Sequence, residues 1–276
     1  MIKKRITILG GAGLIGRALH SALEKIEVEV FKPDIRDSSL KDENLGTVIN
    51  CIGITNDFVS RKNELIESHV MVVENILNHA RFDSFLNLSS TRVYEGAVTS
   101  NEQSDVAVNP HGISNFYNLS KLLSESLVLN HPFLTARVVR LSYAIDDVFF
   151  GGNDPISLIL KNGTNGRINI AEHPESEKDY VFLSQAVEIL IQIALHGEDR
   201  IYNVASGVNT SFSQLRTFAN EYLDLEIVFD GQSKARKPPV IDNRKIRREF
   251  HFVPYQIQEL FKLYAGGNGN VDKRIQ

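Results

Sequence analysis

The sequence predicts an α/β fold: a Rossmann-like doubly wound parallel sheet with a smaller, discontinuous C-terminal lobe. Three observations carry that expectation. A short apolar run ends in a glycine-rich turn that opens a helical pattern, such runs and patterns alternate through the first half, and the alternation lapses between about 145 and 180. Strands alternating with helices form parallel βαβ units, whose ligands gather at the carboxyl ends of the strands.

The first strand is Ile6 to Leu9, followed by a helix over Leu14 to Leu23 and a strand over Val28 to Phe31. A helical stretch near Ser38 to Leu45, a strand over Thr47 to Ile54 and a helix over Ile66 to Ala80 come next. Phe85 to Ser89 reads as strand, Tyr117 to Leu129 as helix and Thr135 to Leu141 as strand. In runs such as Val48, Ile49, Cys51 and Ile52 both parities are apolar, which suits a sheet covered on both faces. Past 145, Gly, Asn and Pro punctuate FFGGNDP and KNGTNGRINI, and the charged loop EHPESEKD follows. A helix over Ser184 to Leu195 and a strand over Arg200 to Val204 restore the pattern before the turn residues Ser206, Gly207 and Asn209. The expected division is a sheet domain of 1–145 with 181–205 and a second lobe of 146–180 with 206–276. A cleft between such lobes is a common place for a substrate.

Composition excludes several classes of function. The 276 residues are 42% apolar, enough for a large globular core. A net charge of −4, with basic residues scattered apart from Arg244, Lys245, Arg247 and Arg248, argues against a nucleic-acid partner, and that cluster reads as a solvated helix face. Cys51, the only cysteine, lies in an apolar run and reads as core, in keeping with a reducing cytoplasm. Neither a signal-peptide h-region nor a membrane span is expected, so the reading is a soluble cytoplasmic protein. Eight histidines form no metal-ligand spacing, no metal is expected, and His69 reads as a satisfied core or surface residue.

Gly10, Gly13 and Gly16 lie between the first strand and the first helix. Gly10 permits the tight turn, Gly13 lets backbone amides approach a diphosphate, and Gly16 permits close helix packing. The amides of the opening helical turn, Leu14 and Ile15 among them, then face an anion. That pattern predicts dinucleotide binding over an ordinary glycine turn. The cofactor form rests on the next strand. Asp34 is placed to hold the adenosine ribose, or to serve as a helix cap or turn residue; if the strand ends at Lys32, an ammonium there favours the 2′-phosphate of NADP(H).

Tyr117 and Lys121 stand four apart on one helix face, and an ammonium near a phenol favours the phenolate. Such a tyrosine exchanges a proton with an alcohol or carbonyl while a nicotinamide exchanges hydride. Ser90, at the ligand end of its strand, is placed to hold the same oxygen. A Tyr and Lys at this spacing is by itself a common surface coincidence. The order of glycine loop, serine strand end and Tyr-Lys pair turns it into a catalytic constellation.

The sequence resembles the extended short-chain dehydrogenase/reductase family of nucleotide-sugar epimerases, dehydratases and ketoreductases. The resemblance is carried by GGAGLIG at Gly10, VINCIG at Val48, LSSTRVYEG at Leu88, YNLSK at Tyr117 and ARVVRLS at Ala136. KDYVFLSQA at Lys178, IYNVASG at Ile201 and DNRKIRREFHFVP at Asp242 extend it through the second half. It implies catalytic roles for Ser90, Tyr117 and Lys121, with Lys121 also binding the nicotinamide ribose. It implies cofactor contacts at Cys51, Ile52 and Gly53 beside the glycine loop, and substrate contacts at Ser90, Thr91, Tyr143, Lys178 and Arg236. Arg236 has an alternative as a solvated loop charge. Where related 4,6-dehydratases carry an acidic residue after the serine, this chain has Thr91 and Arg92, which argues against dehydration. His69 replaces a family asparagine, and Tyr143 replaces the usual asparagine after Arg140.

The resemblance implies NADP or NAD as cofactor, a nucleotide-sugar substrate and a homodimer through helices including that of Tyr117. Hydride transfer is expected at a carbinol or keto carbon, with C4 of a hexose as the expected position. The short chain and Lys32 favour a 4-ketoreductase. The alternatives are an epimerase that keeps its NAD⁺ and, with less support from the complete Ser, Tyr, Lys set, a non-catalytic dinucleotide sensor.

Overall fold

β1 (Lys4–Leu9) is buried from Ile6 onward and runs into the glycine turn that opens α1 (Leu14–Leu23). β2 (Val28–Phe31) and β3 (Thr47–Asn50) flank it, both parallel to it. The next helix comes in three consecutive parts, α2 (Lys62–Ile66), a π turn (Glu67–Met71) and α3 (Val72–His79). β4 (Ser84–Ser90) leads through a 3-10 turn (Thr91–Tyr94) toward α4 (Asn115–Leu129), and β5 (Ala136–Leu141) and β6 (Tyr143–Ile145) follow. The rest comprises α5 (Pro155–Lys161), β7 (Gly166–Ile170), β8 (Glu177–Phe182), α6 (Leu183–His196), β9 (Ile201–Val204) and β10 (Asn209–Ser211). It ends with α7 (Phe212–Leu223), β11 (Leu225–Phe229), α8 (Arg244–Phe250) and α9 (Ile257–Gly266). This computed structural model describes residues 3–34, 43–55, 57–148, 154–162, 166–231 and 234–266.

One six-stranded sheet has the order β2-β1-β3-β4-β5-β9, with every neighbouring pair parallel. The chain moves from β1 outward to β2 and then back to β3 on the other side. That reversal opens a crevice beyond the carboxyl ends of β1 and β3. Side chains alternate between the two faces of the sheet. Ile6, Ile8, Ile49 and Val139 pack with Leu19 and Leu23 of α1 and Ala186 and Leu190 of α6. Leu9, Val48, Phe85 and Val138 pack with Val73 and Ile76 of α3 and Val128 of α4. Each large apolar side chain so buried contributes about 1.5–3 kcal/mol, which is why β3 and β5 carry no polar alternation to mark a solvent face.

A second apolar cluster gathers Ile145, Ile156, Phe182, Phe212, Leu215, Leu225 and Phe261. It fills the space beside a three-stranded sheet, β10-β8-β6, and a two-stranded one, β11-β7. Local chemistry starts its helices: Asp154 caps α5 with Pro155 in its first turn, and Ser211 with Gln214 forms a capping box on α7. Ile246 and Phe252, at and after α8, pack into the first cluster beside α1 and α6. Lys245 of the basic cluster is tied down, its Nζ donating to the Ile201 carbonyl at 2.9 Å.

Two expected elements differ. Most of the helical stretch near Ser38 to Leu45 lies outside the described residues, but Glu43 to Leu45 are not helical, and Asn44 forms a bridge with Arg81. Leu45 is fully buried and its carbonyl accepts from Thr7 Oγ1 at 2.6 Å, so the segment is an extended lead into β3. β3 itself stops at Asn50 rather than reaching Ile54. There the Asn50 amide oxygen accepts from Ile52 N at 3.2 Å, which turns the chain out of the ladder. Among the described residues no helix is long and apolar enough to cross a membrane.

Candidate active site

Gly10 sits at φ +82°, and a Cβ on it would lie 2.9 Å from the Cys51 and Ile52 backbone. A Cβ on Gly16 would lie 2.3 Å from the Gly10 carbonyl oxygen, so α1 presses directly on the turn. Gly13 is different. Its Cβ would meet only the Gly10 oxygen at 3.4 Å, an ordinary contact, so packing alone does not demand glycine there. Gly13 is the N-cap of α1 and offers no side-chain cap, which leaves the opening amides, those of Leu14 and Ile15 among them, turned toward the crevice. Those features fit a dinucleotide diphosphate. β2 ends at Phe31, so Lys32 is the first residue past the strand, and its side chain crosses the turn 3.1 Å from the Cβ position of Gly11. Asp34 follows two residues later, exposed.

From the glycine turn the wall continues through Cys51 and Gly53 toward α4. Cys51 N donates to Leu9 O at 3.0 Å, and burial pushes its thiol up to about 12, so it is an inert wall residue. Gly53 faces His69 Nε2 and Lys121 Nζ, which stand 3.0 and 3.4 Å from its Cβ position. Ser90 ends β4, and its hydroxyl accepts from Arg92 N at 3.2 Å and faces the Tyr117 phenol, which it favours in the ionised form. Tyr117 is 5% exposed. Lys121 is as deeply buried, its Nζ donates to Leu88 O at 2.9 Å, and burial lowers its pKa to about 8 against the charge of Glu125.

The electrostatics of Tyr117 correct one expectation. Its phenol lies above the ordinary value rather than below it, because burial outweighs the opposing Ser90 hydroxyl and the charge of Arg92. Arg92 is a cation that opposes that burial.

Three residues that sequence reasoning did not place in the site surround the ring. His69 lies edge-on to it, Phe58 is tilted against it at 5.7 Å, and the Arg92 Cζ is 5.1 Å from its centre. The His69 tautomer follows from its partners. Ser120 Oγ donates to Tyr117 O at 2.8 Å and therefore accepts from His69 Nδ1–H at 2.8 Å, while Nε2 accepts from Ile54 N–H at 3.2 Å. Burial, then the nearby Lys121, hold the imidazole neutral, with a pKa of about 3.

Beneath the site a buried network locks β4, α4, β5 and β9 together. Arg140 donates to both Glu125 oxygens, at 2.7 Å from Nη2, and to Tyr94 Oη at 2.7 Å, which in turn donates to Asn203 Oδ1 at 2.9 Å. Ser89 also donates to Glu125, fixing the end of the strand that presents Ser90.

Thr91 Oγ1 meets Ser142 Oγ at 3.3 Å, which joins the serine strand end to the link between β5 and β6. Next to it, Tyr143 stacks edge-on against Tyr180 at 5.7 Å, and Lys178 Nζ lies 5.3 Å from the Tyr143 ring centre. Lys178 and Arg236 both pair with Glu172, at 3.6 and 3.1 Å. Tyr143, Lys178 and Arg236 therefore form one cluster, organised by a carboxylate in the charged loop that the sequence reading left unassigned. Among the described residues no group of three or more His, Cys, Asp or Glu is arranged to hold a metal.

Residues 6–205 match the model of the NAD dependent epimerase/dehydratase family. The chain belongs to that family. Membership agrees with the resemblance carried by the motifs and makes NAD(P) the cofactor that the glycine turn fits. No curated protein matches the chain in sequence. Solved structures match it in fold. RMD from Pseudomonas aeruginosa complexed with NADPH has a TM-score of 0.75 and 18% identity, over 95% of this chain and 98% of that one. dTDP-glucose 4,6-dehydratase from Bacillus anthracis in complex with NAD has 0.72 and 14%, over 95% of each chain. MoeE5 in complex with UDP-glucose and NAD has 0.74 and 16%, over 95% and 97%. The epimerase/dehydratase fold thus spans nearly the whole of this chain.

Proposed function

We propose that the protein is an NADP(H)-dependent nucleotide-sugar reductase that converts a keto carbon of a nucleotide-linked hexose, C4 in our reading, to the alcohol. The observation that carries the reading is the convergence of Ser90, Tyr117 and Lys121 at the carboxyl end of β4, where Lys121 Nζ donates to Leu88 O and lies against Gly53 on the glycine-turn side. Two hydroxyls that meet at one point are placed to share a third oxygen. Tyr117 donates its proton to the substrate carbonyl oxygen, and Ser90 hydrogen-bonds that oxygen as it becomes a hydroxyl. The bound dinucleotide supplies hydride from its nicotinamide. Lys121 holds the nicotinamide ribose, Gly10 to Gly16 take the diphosphate, and Cys51, Ile52 and Gly53 line the cofactor.

Lys32 takes the 2′-phosphate in this reading, supported by its position across Gly11. Residues 1–145 with 181–205 hold the dinucleotide, and 146–180 with 206–276 hold the sugar nucleotide. Tyr143 offers an aromatic face, and Lys178 and Arg236 exchange Glu172 for substrate phosphate. The complexes of MoeE5 with UDP-glucose and of RMD with NADPH support these ligand classes. Arg92 in place of a carboxylate supports reduction without elimination. A homodimer through α4 is supported by the exposed Leu119 and Leu123 on that helix, and we place the protein in the cytoplasm.

The test is mass spectrometry of nucleotide released from the purified protein, followed by NADPH oxidation with a nucleotide-linked 4-keto sugar. Tyr117→Phe should reduce turnover by about 100-fold or more while NADPH still binds. NAD⁺ retained through gel filtration, with interconversion of C4 epimers and no net NADPH consumption, identifies an epimerase instead.

A further inference from the structure

Arg92 has no role in the mechanism above, yet its side chain lies on the face of the proton-transferring ring. Its Cζ is 5.1 Å from the centre of Tyr117 and 5.3 Å from that of Phe58, and those two rings are 5.7 Å apart. Its other partners are weak: the Ser114 carbonyl accepts from Nη2 at 3.3 Å, and the Glu95 carboxylate is 3.8 Å from Nε and largely in solvent. Packing does not require the charge, since an unbranched apolar side chain covers two rings equally well. A guanidinium adds a positive charge over a ring that becomes negative once its proton has left.

The other groups facing Tyr117 do not supply that charge at all pH values. His69, from the π turn, is neutral and committed to Ser120 and Ile54. Ser90, from β4, offers a hydroxyl dipole. Lys121, on the same helix, donates to Leu88 O and gives up its proton near pH 8. Asp57 precedes Phe58 in the turn after β3, and Glu95 lies beyond the guanidinium. Arginine alone in this set keeps its charge throughout the working range.

We propose that Arg92 is a positioning residue for proton transfer: stacked on Tyr117 and Phe58, it stabilises the tyrosinate left when the proton departs and holds the Phe58 turn against the ring. The inference rests on Tyr117 as proton donor. In the step it serves, the Tyr117 O–H bond breaks and its proton goes to the carbonyl oxygen, while the reduced dinucleotide gives hydride to the carbonyl carbon. The tyrosinate then recovers a proton from solvent. The charge of Arg92 already opposes the burial that raises this phenol.

The experiment is an NMR titration of protein labelled with ¹³Cζ-tyrosine and loaded with NADP⁺, from about pH 7 to about pH 12, the Tyr117 signal being assigned with Tyr117→Phe. Arg92→Met should move the Tyr117 midpoint up by about one unit, and Arg92→Lys should restore at least about half of that shift. Thermal unfolding and dinucleotide titration of both variants establish that they fold and bind. An unchanged midpoint in Arg92→Met overturns the proposal, as does a lysine variant identical to the methionine one. A wild-type signal that does not begin to move by the upper limit overturns it too. Turnover of Tyr117→Phe judges the reading beneath it separately: full activity there removes Tyr117 from the mechanism, while the Arg92–Tyr117 coupling is still measured by the titration.

Discussion

The imidazole of His69 stands at 83° to the ring of Tyr117, with 5.3 Å between centroids, so a histidine packs the edge of the candidate proton donor without carrying charge. Its neutrality has a thermodynamic signature. Unfolded, His69 takes up a proton near pH 6.5, whereas the folded residue does so only near pH 3. Across that window the unfolded state binds the extra proton, so stability falls as pH drops, by about 1.4 kcal/mol per unit. Urea unfolding at about pH 7 and about pH 5 should show this loss in the wild type, and His69→Gln should lack most of it. Equal slopes in the two proteins would mean that His69 is protonated in the fold.

Lys121→Met should stabilise the dinucleotide-free protein while abolishing its activity. The folded lysine has a pKa of about 8 against an ordinary 10.5, so below about pH 8 a buried ammonium is carried at a cost. Between those values the unfolded chain holds a proton that the folded chain has released, and this contribution to stability rises with pH. The variant should therefore unfold about 1–3 kcal/mol later than wild type near neutrality, with the gap closing toward pH 10.5. Thermal unfolding across that range measures it.

Lys32→Ala tests the choice of cofactor. With the ammonium lying across Gly11, its loss should weaken NADPH by roughly 5- to 150-fold and leave NADH within about threefold. Titration at fixed ionic strength with both nucleotides reads the difference. A wild type that prefers NADH would return the ribose to Asp34.

Gly13→Ala and Gly16→Ala should part company. Alanine at 16 puts a methyl 2.3 Å from backbone, so that variant should lose about 1–3 kcal/mol of stability as well as binding. Alanine at 13 meets only an ordinary 3.4 Å contact, so its stability should change by about 1 kcal/mol or less while NADPH affinity falls at least about tenfold. Chemical unfolding and nucleotide titration of the pair distinguish a packing glycine from a ligand glycine.

Arg140→Met should be severely destabilising, by about 3–5 kcal/mol, because it strands the Glu125 carboxylate among Ser89, Lys121 and the end of β4. Pairing the change with Glu125→Leu should recover much of the loss. Additive losses in the double variant would argue that the two side chains act independently.

The glycine turn, the β4 end and the Tyr117–Lys121 pair are legible in the sequence because each is written in contiguous residues whose local geometry is nearly obligatory. Arg92 and His69 are visible as letters but not as neighbours of Tyr117. Arg92 reaches the ring through a 3-10 turn, and His69 through a π turn that helical spacing from Ile66 does not reveal. Glu172 was hidden for another reason. It belongs to a loop whose charges look solvated, and only the tertiary fold brings it to Arg236, 64 residues away. The same holds for β7 and β11, five residues each, which pair in parallel across the intervening β8, α6, β9, β10 and α7. Short strands with distant partners leave no periodic trace.

The wide turn at Glu67–Met71 is an α-helix carrying one residue more than its pitch accommodates. A single-codon deletion there would restore ordinary α pitch and leave the helix on either side close to its present phase, because the surplus residue is absorbed within the wide turn itself. The change would fall on the residues of the turn, His69 among them, so its contacts with Ser120, Tyr117 and the Ile54 amide would be lost while α2 and α3 kept theirs. The ring packing of the site thus hangs on an insertion rather than on a substitution, and a lineage that lost that residue would have to rebuild the wall beside Tyr117 with a different side chain.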